Sequence, residues 1–330
     1  MNYRRRFLIF LLCAACTSVS AASNTILVVE SYHAEFAWDS SYRQALRERL
    51  SPRFALEFFE MNTKRLPVAK HPEMAKRALA RIQELRPALV FLADDAALKY
   101  LGPQLDALSI PVVYLGINNN PRLYSKEGAF RNITGVLERP LIKRSVAFIR
   151  QIIPSAQKVL LLFDTDMTSG ILFDEVFHGR ASILIEGVEV VFQRHANFAD
   201  WKAAVLEAES RGYQAIVAGL YQSLKNNDGS IADPDEVIVW TSRQSRLPLF
   251  GFWDFSIGPD KAIGGLVCSG NEQGQAAAEI AVRILERGEK PAAIHPTTAP
   301  QGSFIFSRKQ LTRFGLKLPP AIERQARLID

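Results

Sequence analysis

Short apolar runs alternate with amphipathic helical segments along this chain, and the pattern stops and restarts near the middle. The apolar runs cover residues 25–30, 55–60, 88–93 and 110–115, and then 158–163, 188–193, 215–220, 249–252 and 265–268. Strands that are apolar throughout and are separated by helices are typical of parallel sheets covered on both faces. The sequence therefore predicts an α/β fold with two doubly wound parallel-sheet lobes.

Helical periodicity and capping residues fill most of the gaps between these runs. The predicted helices cover residues 39–50, 72–86, 96–108, 141–153, 169–185 and 200–211, a segment that begins at Asp233-Pro234, and a last one from Ser269 to Arg287. Residues 116–139 show little periodicity, and we expect a surface loop that leads into a crossover between the lobes. No long polar linker separates the two halves, so the lobes should be closely joined.

The first 22 residues have the features of an export signal. Arg4, Arg5 and Arg6 precede an apolar run over residues 7–15, which is too short to span a bilayer, and small residues at 20–22 suit cleavage. We expect a signal peptide at residues 1–22 and a periplasmic protein. Lipid anchoring at Cys16, which follows two alanines as at the end of a lipobox, stays open.

The charge balance argues against a nucleic-acid partner. The formal charge is +6, and the three arginines of the predicted signal account for half of it. The remaining Lys and Arg residues form no run of five or more. Five scattered histidines and one cysteine outside the signal, Cys268, make no metal-ligand pattern and no intrachain disulfide. We expect no metal ion and no cofactor.

Ligands of open α/β sheets sit beyond the carboxyl ends of the strands, where helices begin. The residues at these positions mix aromatic rings, carboxylates, hydroxyls and amides, which suits a small polar organic ligand. In the first half they are Ser31, Tyr32, His33, Trp38, Asp94, Asp95, Asn118 and Asn119. In the second half they are Asp164, Thr168, Ser169, Tyr221, Trp253 and Asp254.

Each of these residues also has a purely structural interpretation. Asp94, Asp95, Thr168 and Ser169 have the residue types that cap helices, and Trp38 has the type that fills cores. A lone histidine such as His33 is more often structural than functional.

One segment permits an enzymatic interpretation. Residues 160–168 place Asp164 and Asp166 after an apolar strand, in an Asp-x-Asp-x-Thr pattern that resembles the nucleophile motif of haloacid-dehalogenase phosphatases. Such enzymes also need a downstream lysine and a later acidic pair that holds Mg²⁺, whereas the acidic pair here, Asp94-Asp95, lies upstream. A magnesium-dependent phosphatase that uses Asp164 is a remote alternative. Other catalytic motifs are absent, so we expect no enzymatic activity.

Taken together, the ordered set of these segments resembles the ABC-transporter substrate-binding proteins, in the periplasmic-binding-protein type I class. The closest likeness is to a branch that also supplies extracytoplasmic sensor modules. The matching pieces are Ser31-Tyr32-His33 with Trp38, Thr63-Lys64-Arg65, Asp94-Asp95 with Ala97, residues 116–119 and 133–136, Asp164 with Thr168 and Gly170, residues 253–255, and Gly264-Gly265 followed by Gly274 and Ala277-Ala278.

This resemblance implies two lobes that are joined by a three-segment hinge. Lobe one would comprise residues 23–138 and 271–293, and lobe two residues 139–270 and 294–330. A small organic ligand, by analogy an aromatic amino acid or a related organic acid, would bind between them. Asn62 and Ala96 depart from residues common in relatives, as does the segment 304–307, so the ligand is carried over only as a class.

The resemblance also implies roles and partners. Trp38 and Tyr32 would stack on the ligand, Asp94 and Asp95 would accept hydrogen bonds from an ammonium or hydroxyl group, and Asn118, Thr168 and Ser169 would bind its polar end. The protein would present the ligand to an ABC permease. Alternatively, it would be the sensing subunit of a membrane histidine kinase or diguanylate cyclase.

Overall fold

The computed structural model describes residues 24–139, 141–299 and 302–330. The predicted signal peptide and Cys16 lie outside these residues. The strands are β1 (Thr25–Glu30), β2 (Ala55–Glu60), β3 (Leu89–Ala93), β4 (Val112–Ile117), β5 (Ile133–Leu137), β6 (Lys158–Phe163), β7 (Ser182–Ile185), β8 (Val188–Arg194), β9 (Ala215–Ala218), β10 (Leu249–Gly251), β11 (Gly264–Val267), β12 (Thr297–Thr298), β13 (Ser303–Ser307) and β14 (Arg327–Ile329). The α-helices are α1 (Ala37–Leu50), α2 (His71–Leu85), α3 (Asp94–Ala107), α4 (Ile142–Ile152), α5 (Met167–Phe177), α6 (Phe198–Glu207), α7 (Pro234–Gln244), α8 (Gly270–Arg287), α9 (Arg308–Arg313) and α10 (Pro320–Glu323).

The first sheet is parallel and has the order β12-β5-β4-β3-β1-β2. Successive residues of its buried strands face opposite sides, as a strand repeat of two residues requires. In β1, Ile26 and Val28 pack in a core with α1 and α8, whereas Leu27 and Val29 pack in another core with α2 and α3. Helices cover both faces, so the continuous apolar runs are explained.

The second sheet has the order β10-β9-β6-β8-β7, and only β7 runs antiparallel to its neighbour. In β6, Leu161 and Phe163 face the core that contains α4 and α5, whereas Leu160 and Leu162 face the core that contains α6 and α7. This is the second doubly wound lobe that the sequence predicts. The predicted caps of α7 and α8 are confirmed, because Asp233 accepts from the Asp235 amide and Ser269 accepts from the Glu272 amide.

A third sheet, with the order β11-β13-β14, completes the second lobe beside β10. The chain passes between the first sheet and the rest of the molecule after β5, before α8 and after β12. These three passages correspond to the expected three-segment hinge. Since β12 pairs with β5, the first sheet includes residues 297–298. The exact division of the chain into lobes stays a prediction.

The predicted surface loop over residues 116–139 is wrong in its second half. This segment contains β5, which pairs with β4 and is largely buried. The strand was hard to recognise because Gly135 interrupts its apolar run. That glycine is required by close packing, since a Cβ at this position would lie 2.1 Å from the Tyr114 carbonyl oxygen.

We expect the substitution Gly135→Ala to lower the free energy of unfolding by about 2 kcal/mol, because the β4 backbone must move to admit the methyl group. Gly170→Ala is the matched control. It lies within α5, where the nearest atom to a new Cβ would be 3.6 Å away, so alanine should be neutral or stabilising. Urea unfolding of both variants checks this, and equal destabilisation by the two would contradict it.

The predicted helix over residues 169–185 is also wrong beyond Phe177. The helix α5 ends at Phe177, the next residue His178 adopts a left-handed conformation, and β7 follows. A two-residue turn at Glu186-Gly187, both with positive φ, then joins β7 to β8 as a hairpin. Turns with two positive φ angles match the twist of a hairpin and favour glycine. The Glu-Gly pair between two apolar runs was the missed signal.

Within the described part of the chain, no helix is both long enough and apolar enough to cross a membrane.

Candidate functional site

The carboxyl ends of the central strands of the two lobes face each other across a cleft. At its centre lies a small cavity of about 20 Å³, here called the inner cavity. Its lining residues are Tyr32, Phe36, Trp38, Lys64, Asp94, Glu138, Thr168, Leu220, Trp253 and Phe255. They come from both lobes, so anything held in the inner cavity contacts both.

Two buried polar atoms of the inner cavity have no hydrogen-bond partner. They are Trp38 Nε1, a donor, and Asp94 Oδ2, an acceptor. Each of these residues is only 3% exposed, so bulk water does not supply the missing hydrogen bonds. Leaving a buried polar group unpaired costs about 1–3 kcal/mol, and native structures rarely do so without a reason. One donor and one acceptor thus remain free at the wall of the cleft.

The backbone holds Asp94 in an unusual conformation. It is the first residue of α3 and has a φ of 65°, which is rare outside glycine and best tolerated by Asp and Asn. The ring of Trp38 and the Asp94 carboxylate pack against Gly116, where a Cβ would lie 3.0 Å from Asp94 Oδ1. Burial, reinforced by Asp39 and Glu138, raises the pKa of Asp94 well above its usual value. Such strained, strongly perturbed residues often mark functional sites.

Glu138 lies where the chain leaves the first lobe after β5, and it connects the two sides of the cleft. Its carboxylate accepts from Trp253 Nε1 at 2.6 Å and from Asn118 Nδ2 at 2.9 Å. Burial raises the pKa of Glu138 to about 7, against the lowering effect of these two donors. Glu138 therefore holds a wall of the cavity, the indole of Trp253, in place.

We expect the contribution of Glu138 to stability to fall as the pH rises from about 4.5 to about 7. Between these values the unfolded chain gives up the proton while the folded protein keeps it, so folding becomes less favourable. Glu138→Gln should flatten this part of the profile, because the glutamine side chain cannot ionise. Its amide nitrogen can donate to the unpartnered Asn118 Oδ1 once the Asn118 side-chain amide has flipped. Melting temperatures of both proteins from pH 4 to pH 8 check this. Melting temperatures that change with pH in the same way in both proteins would contradict this expectation.

Besides the contact between Glu138 and Trp253, two more polar contacts join the lobes across the cleft. Tyr32 Oη and Thr168 Oγ1 lie 3.4 Å apart, and Lys64 Nζ donates to Asp166 Oδ2 at 2.8 Å. The Lys64 ammonium lies 4.4 Å from the ring centroid of Tyr32 and 5.3 Å from that of Phe36. Burial acts to lower the pKa of Lys64, but Asp166 and Asp164 outweigh it and raise the pKa, so the ammonium stays charged.

A larger cavity of about 570 Å³, here called the outer cavity, adjoins the inner cavity. Phe36, Lys64 and Phe255 line both cavities, and the rings of Phe36 and Phe255 lie 5.7 Å apart across the cleft. The size of the outer cavity is in the range of small-molecule sites. The two phenyl rings and the Lys64 side chain therefore lie between the larger cavity and the smaller one.

The structure brings half of the predicted site residues to the cleft. Tyr32, Trp38, Asp94, Thr168 and Trp253 line the inner cavity, and His33 and Tyr221 line the outer one. The other predicted residues line neither cavity; they are Ser31, Asp95, Asn118, Asn119, Asp164, Ser169 and Asp254. Their part in ligand binding stays a prediction.

Most residues of the second group have structural contacts that occupy their polar atoms. Asp95 accepts from the Asn118 and Asn119 amides and from Tyr124 Oη, so it fixes the loop after β4. Ser31 Oγ donates to the Ala93 carbonyl and accepts from the Ala97 amide.

The Asp164 carboxylate is equally engaged. It accepts from Ser169 Oγ and from the Asp166 and Ser223 amides, and Asp164 is 0% exposed. A phosphatase nucleophile needs an accessible, unengaged oxygen, so these contacts favour a structural role for Asp164.

Lys64, Glu138, Phe36, Phe255 and Leu220 also line the inner cavity but were not predicted as site residues. Phe36 follows β1 and Lys64 follows β2. The rule that selected Tyr32, a position beyond the carboxyl end of a strand, could therefore have found both residues. Glu138 lies at the end of β5, the strand that was missed. Among the described residues, no group of His, Cys, Asp and Glu side chains is arranged to hold a metal ion.

Solved structures with the same fold include a Streptococcus pneumonia ABC domain in complex with L-Trp and a conserved domain protein from Vibrio cholerae. Their TM-scores are 0.68 and 0.67, at 16% and 17% sequence identity. They cover 94% and 93% of this chain and 100% and 99% of their own. A ligand-free, open substrate-binding protein with adhesive properties from Clostridium difficile has a TM-score of 0.62 at 12% identity, covering 93% of this chain and 99% of its own.

These neighbours confirm the predicted fold class, the periplasmic-binding-protein type I fold. No curated protein matches the chain. The family model for ABC transporter substrate binding proteins matches residues 104–328, which is more than half of the chain. The chain therefore belongs to the ABC transporter substrate-binding protein family.

Proposed function

We propose that this protein is a periplasmic solute-binding protein that captures a small organic ligand between its two lobes and presents it to an ABC permease. It acts without catalysis: the ligand favours a closed arrangement of the lobes, and the closed shape is what the membrane partner recognises. Membership of the family supports a permease as the partner. The signal-like residues 1–22 and the family's usual place outside the cytoplasm support a periplasmic location.

The observation that carries this proposal is the pair of unpartnered atoms in the inner cavity. Asp94 Oδ2 and Trp38 Nε1 are buried at the wall of a cleft whose other walls come from the opposite lobe. A ligand that supplies one donor and one acceptor would satisfy both atoms. Because it would also touch Thr168 and Trp253, it would add contacts to both lobes and favour closure.

The chemistry of the cavity indicates a ligand with an ammonium group and an aromatic or apolar body. Two carboxylates, Asp94 and Glu138, line it, and the cation among its lining residues, Lys64, is paired with Asp166. Aromatic rings from both lobes form the remaining wall, where they can stack on a flat group. An aromatic amino acid or a close relative fits this description, and one structural neighbour was solved with L-Trp.

Ligand entry requires motion in the cleft. A cavity of about 20 Å³ holds little more than one water molecule, so the rings of Phe36 and Phe255 must separate to admit an organic ligand. The outer cavity would then serve as the entrance, and Lys64 would leave or adjust its contact with Asp166.

Mass spectrometry of small molecules extracted from the purified protein would identify the ligand. We expect one organic compound with an amino group, and we expect it to rebind to the stripped protein with one molecule per chain. An extract without such a compound, together with a stripped protein that binds no metabolite in calorimetry, would contradict the proposal.

A further inference from the structure

Another cavity lies away from the cleft, at the side of the first sheet where β12 and β5 lie. It occupies about 330 Å³ between β4, β5, the loop at residues 120–130 and the segment 291–296, and is here called the edge cavity. This volume is within the range of small-molecule sites. The edge cavity shares none of its lining residues with the inner or outer cavity.

The wall of the edge cavity combines apolar and polar surface in similar amounts. Its apolar part is formed by Phe130, Ile133, Leu137 and Ile294, together with three prolines. Free energy is gained when an apolar group replaces the water next to this apolar part of the wall. The body of an occupant should therefore be aromatic or branched aliphatic.

One residue that lines the edge cavity has a buried polar atom without a hydrogen-bond partner. Tyr114 is 1% exposed and lines the cavity, and its hydroxyl makes no hydrogen bond. The close approach at Gly135 makes room for its ring, since a Cβ there would lie 2.6 Å from Tyr114 Cδ2. Burial raises the pKa of Tyr114, so the hydroxyl keeps its proton at neutral pH and can donate it to an acceptor.

The charged side chains that line the edge cavity are cationic. They are Arg122 and Arg139, and no Asp or Glu of the described part of the chain lines the cavity. Arg139 lies near enough to Tyr114 to act on its hydroxyl electrostatically. Arg139 Nη1 donates to three backbone carbonyls, whereas its Nη2 has only a 3.5 Å contact with the Asn119 carbonyl. One nitrogen of this guanidinium is thus largely available to an anion.

We propose that the edge cavity binds a small organic monocarboxylate with an apolar body. The carboxylate accepts a hydrogen bond from Tyr114 Oη and is neutralised by Arg139, while Arg122 adds positive potential. The apolar body packs against Phe130 and Ile133. This site is independent of the cleft, where carboxylate side chains favour an ammonium group instead.

Phenylacetate is a suitable probe, and phenylacetamide is its neutral match in size and shape. We expect saturable binding of phenylacetate in calorimetry, and roughly tenfold weaker binding of phenylacetamide, because a hydrogen bond to a charged acceptor is stronger. Tyr114→Phe should weaken phenylacetate binding by roughly tenfold. The variant should fold normally, since the hydroxyl has no partner to lose, and its melting temperature checks this.

A crystal structure of the phenylacetate complex locates the site. Density for the carboxylate beside Tyr114 Oη and Arg139 would support the proposal. Equal affinity for phenylacetate and phenylacetamide, an unchanged affinity in Tyr114→Phe, or phenylacetate found only in the cleft would each overturn it. None of these results bears on the function proposed for the cleft, so the two proposals fail separately.

Discussion

Asp94→Asn is expected to weaken ligand binding roughly 100-fold and, at the same time, to stabilise the free protein. The loss of affinity follows from removing the side chain that would give up its proton and pair, as a carboxylate, with the ligand ammonium, since breaking a buried charge pair costs about 2–5 kcal/mol. The gain in stability follows because Asp94 is buried, lies near Asp39 and Glu138, and has an unpartnered oxygen. Asparagine tolerates the positive φ at this position, so the backbone should not change.

The stability gain should depend on pH in a defined direction. Burial raises the pKa of Asp94 in the folded protein, so the folded protein holds a proton that the unfolded chain loses above about pH 3.8. The stability of the wild type therefore falls as the pH rises above this value. Because the asparagine side chain of the variant does not titrate, the advantage of Asp94→Asn should grow with pH. Urea unfolding at pH 4 and pH 8 checks this.

Asp95→Asn is the matched control, because Asp95 is the neighbouring buried carboxylate and both of its oxygens accept hydrogen bonds. It accepts from two backbone amides and from Tyr124 Oη, so replacing one oxygen with an amino group should lower the free energy of unfolding by about 1–3 kcal/mol. The two substitutions should thus change stability in opposite directions. A loss of stability in both variants would contradict the distinction drawn between the two residues.

Asp166→Asn is expected to shift the lobes toward an open arrangement. The side chain of Lys64 is only 3% exposed, and Asp166 is its anionic partner across the cleft. Without that partner the closed form would hold a buried ammonium between aromatic rings, at a cost of about 3 kcal/mol, whereas an open form would hydrate it. The radius of gyration from small-angle X-ray scattering should therefore increase relative to the wild type.

Lys64→Met provides the comparison for this ion pair. Methionine keeps most of the contacts of the lysine side chain with Tyr32 and Phe36, and the remaining carboxylate, Asp166, is 21% exposed at its side chain and can be hydrated. Lys64→Met should therefore open the lobes less than Asp166→Asn, and the double variant should resemble Lys64→Met. If Asp166→Asn and the wild type have the same radius of gyration, this ion pair does not hold the cleft closed.

The fold was predictable wherever a strand was apolar without interruption. The run at residues 25–30 and the one at 158–163 became central strands, each buried against helices on both faces. The missed strand β5 contains Gly135, whose role depends on how closely Tyr114 approaches from another strand. The hairpin at Glu186-Gly187 was missed because helical periodicity in the preceding segment outweighed the turn signal.

The candidate site was predictable only to the level of strand ends. Asp94 and Asp95 are chemically identical neighbours, yet one lines the inner cavity with a free oxygen and the other fixes a loop. Backbone conformation decides between them, because the positive φ of Asp94 sets the direction in which its side chain leaves the chain. Glu138 reaches the cavity only because β5 ends there, and no local pattern at residue 138 indicates it.

The central claim is that a small organic ligand binds in the cleft at Asp94, and a thermal-shift comparison tests it most directly. Wild type and Asp94→Asn are each screened against a panel of aromatic amino acids, amines and organic acids at millimolar concentration. A ligand at about 100 times its Kd stabilises a protein by roughly 2.7 kcal/mol, which corresponds to a rise in Tm of roughly 5 °C. The account predicts such a rise for at least one amine-bearing compound in the wild type, and a much smaller one in Asp94→Asn. No rise with any compound in the wild type, or equal rises in both proteins, would contradict it.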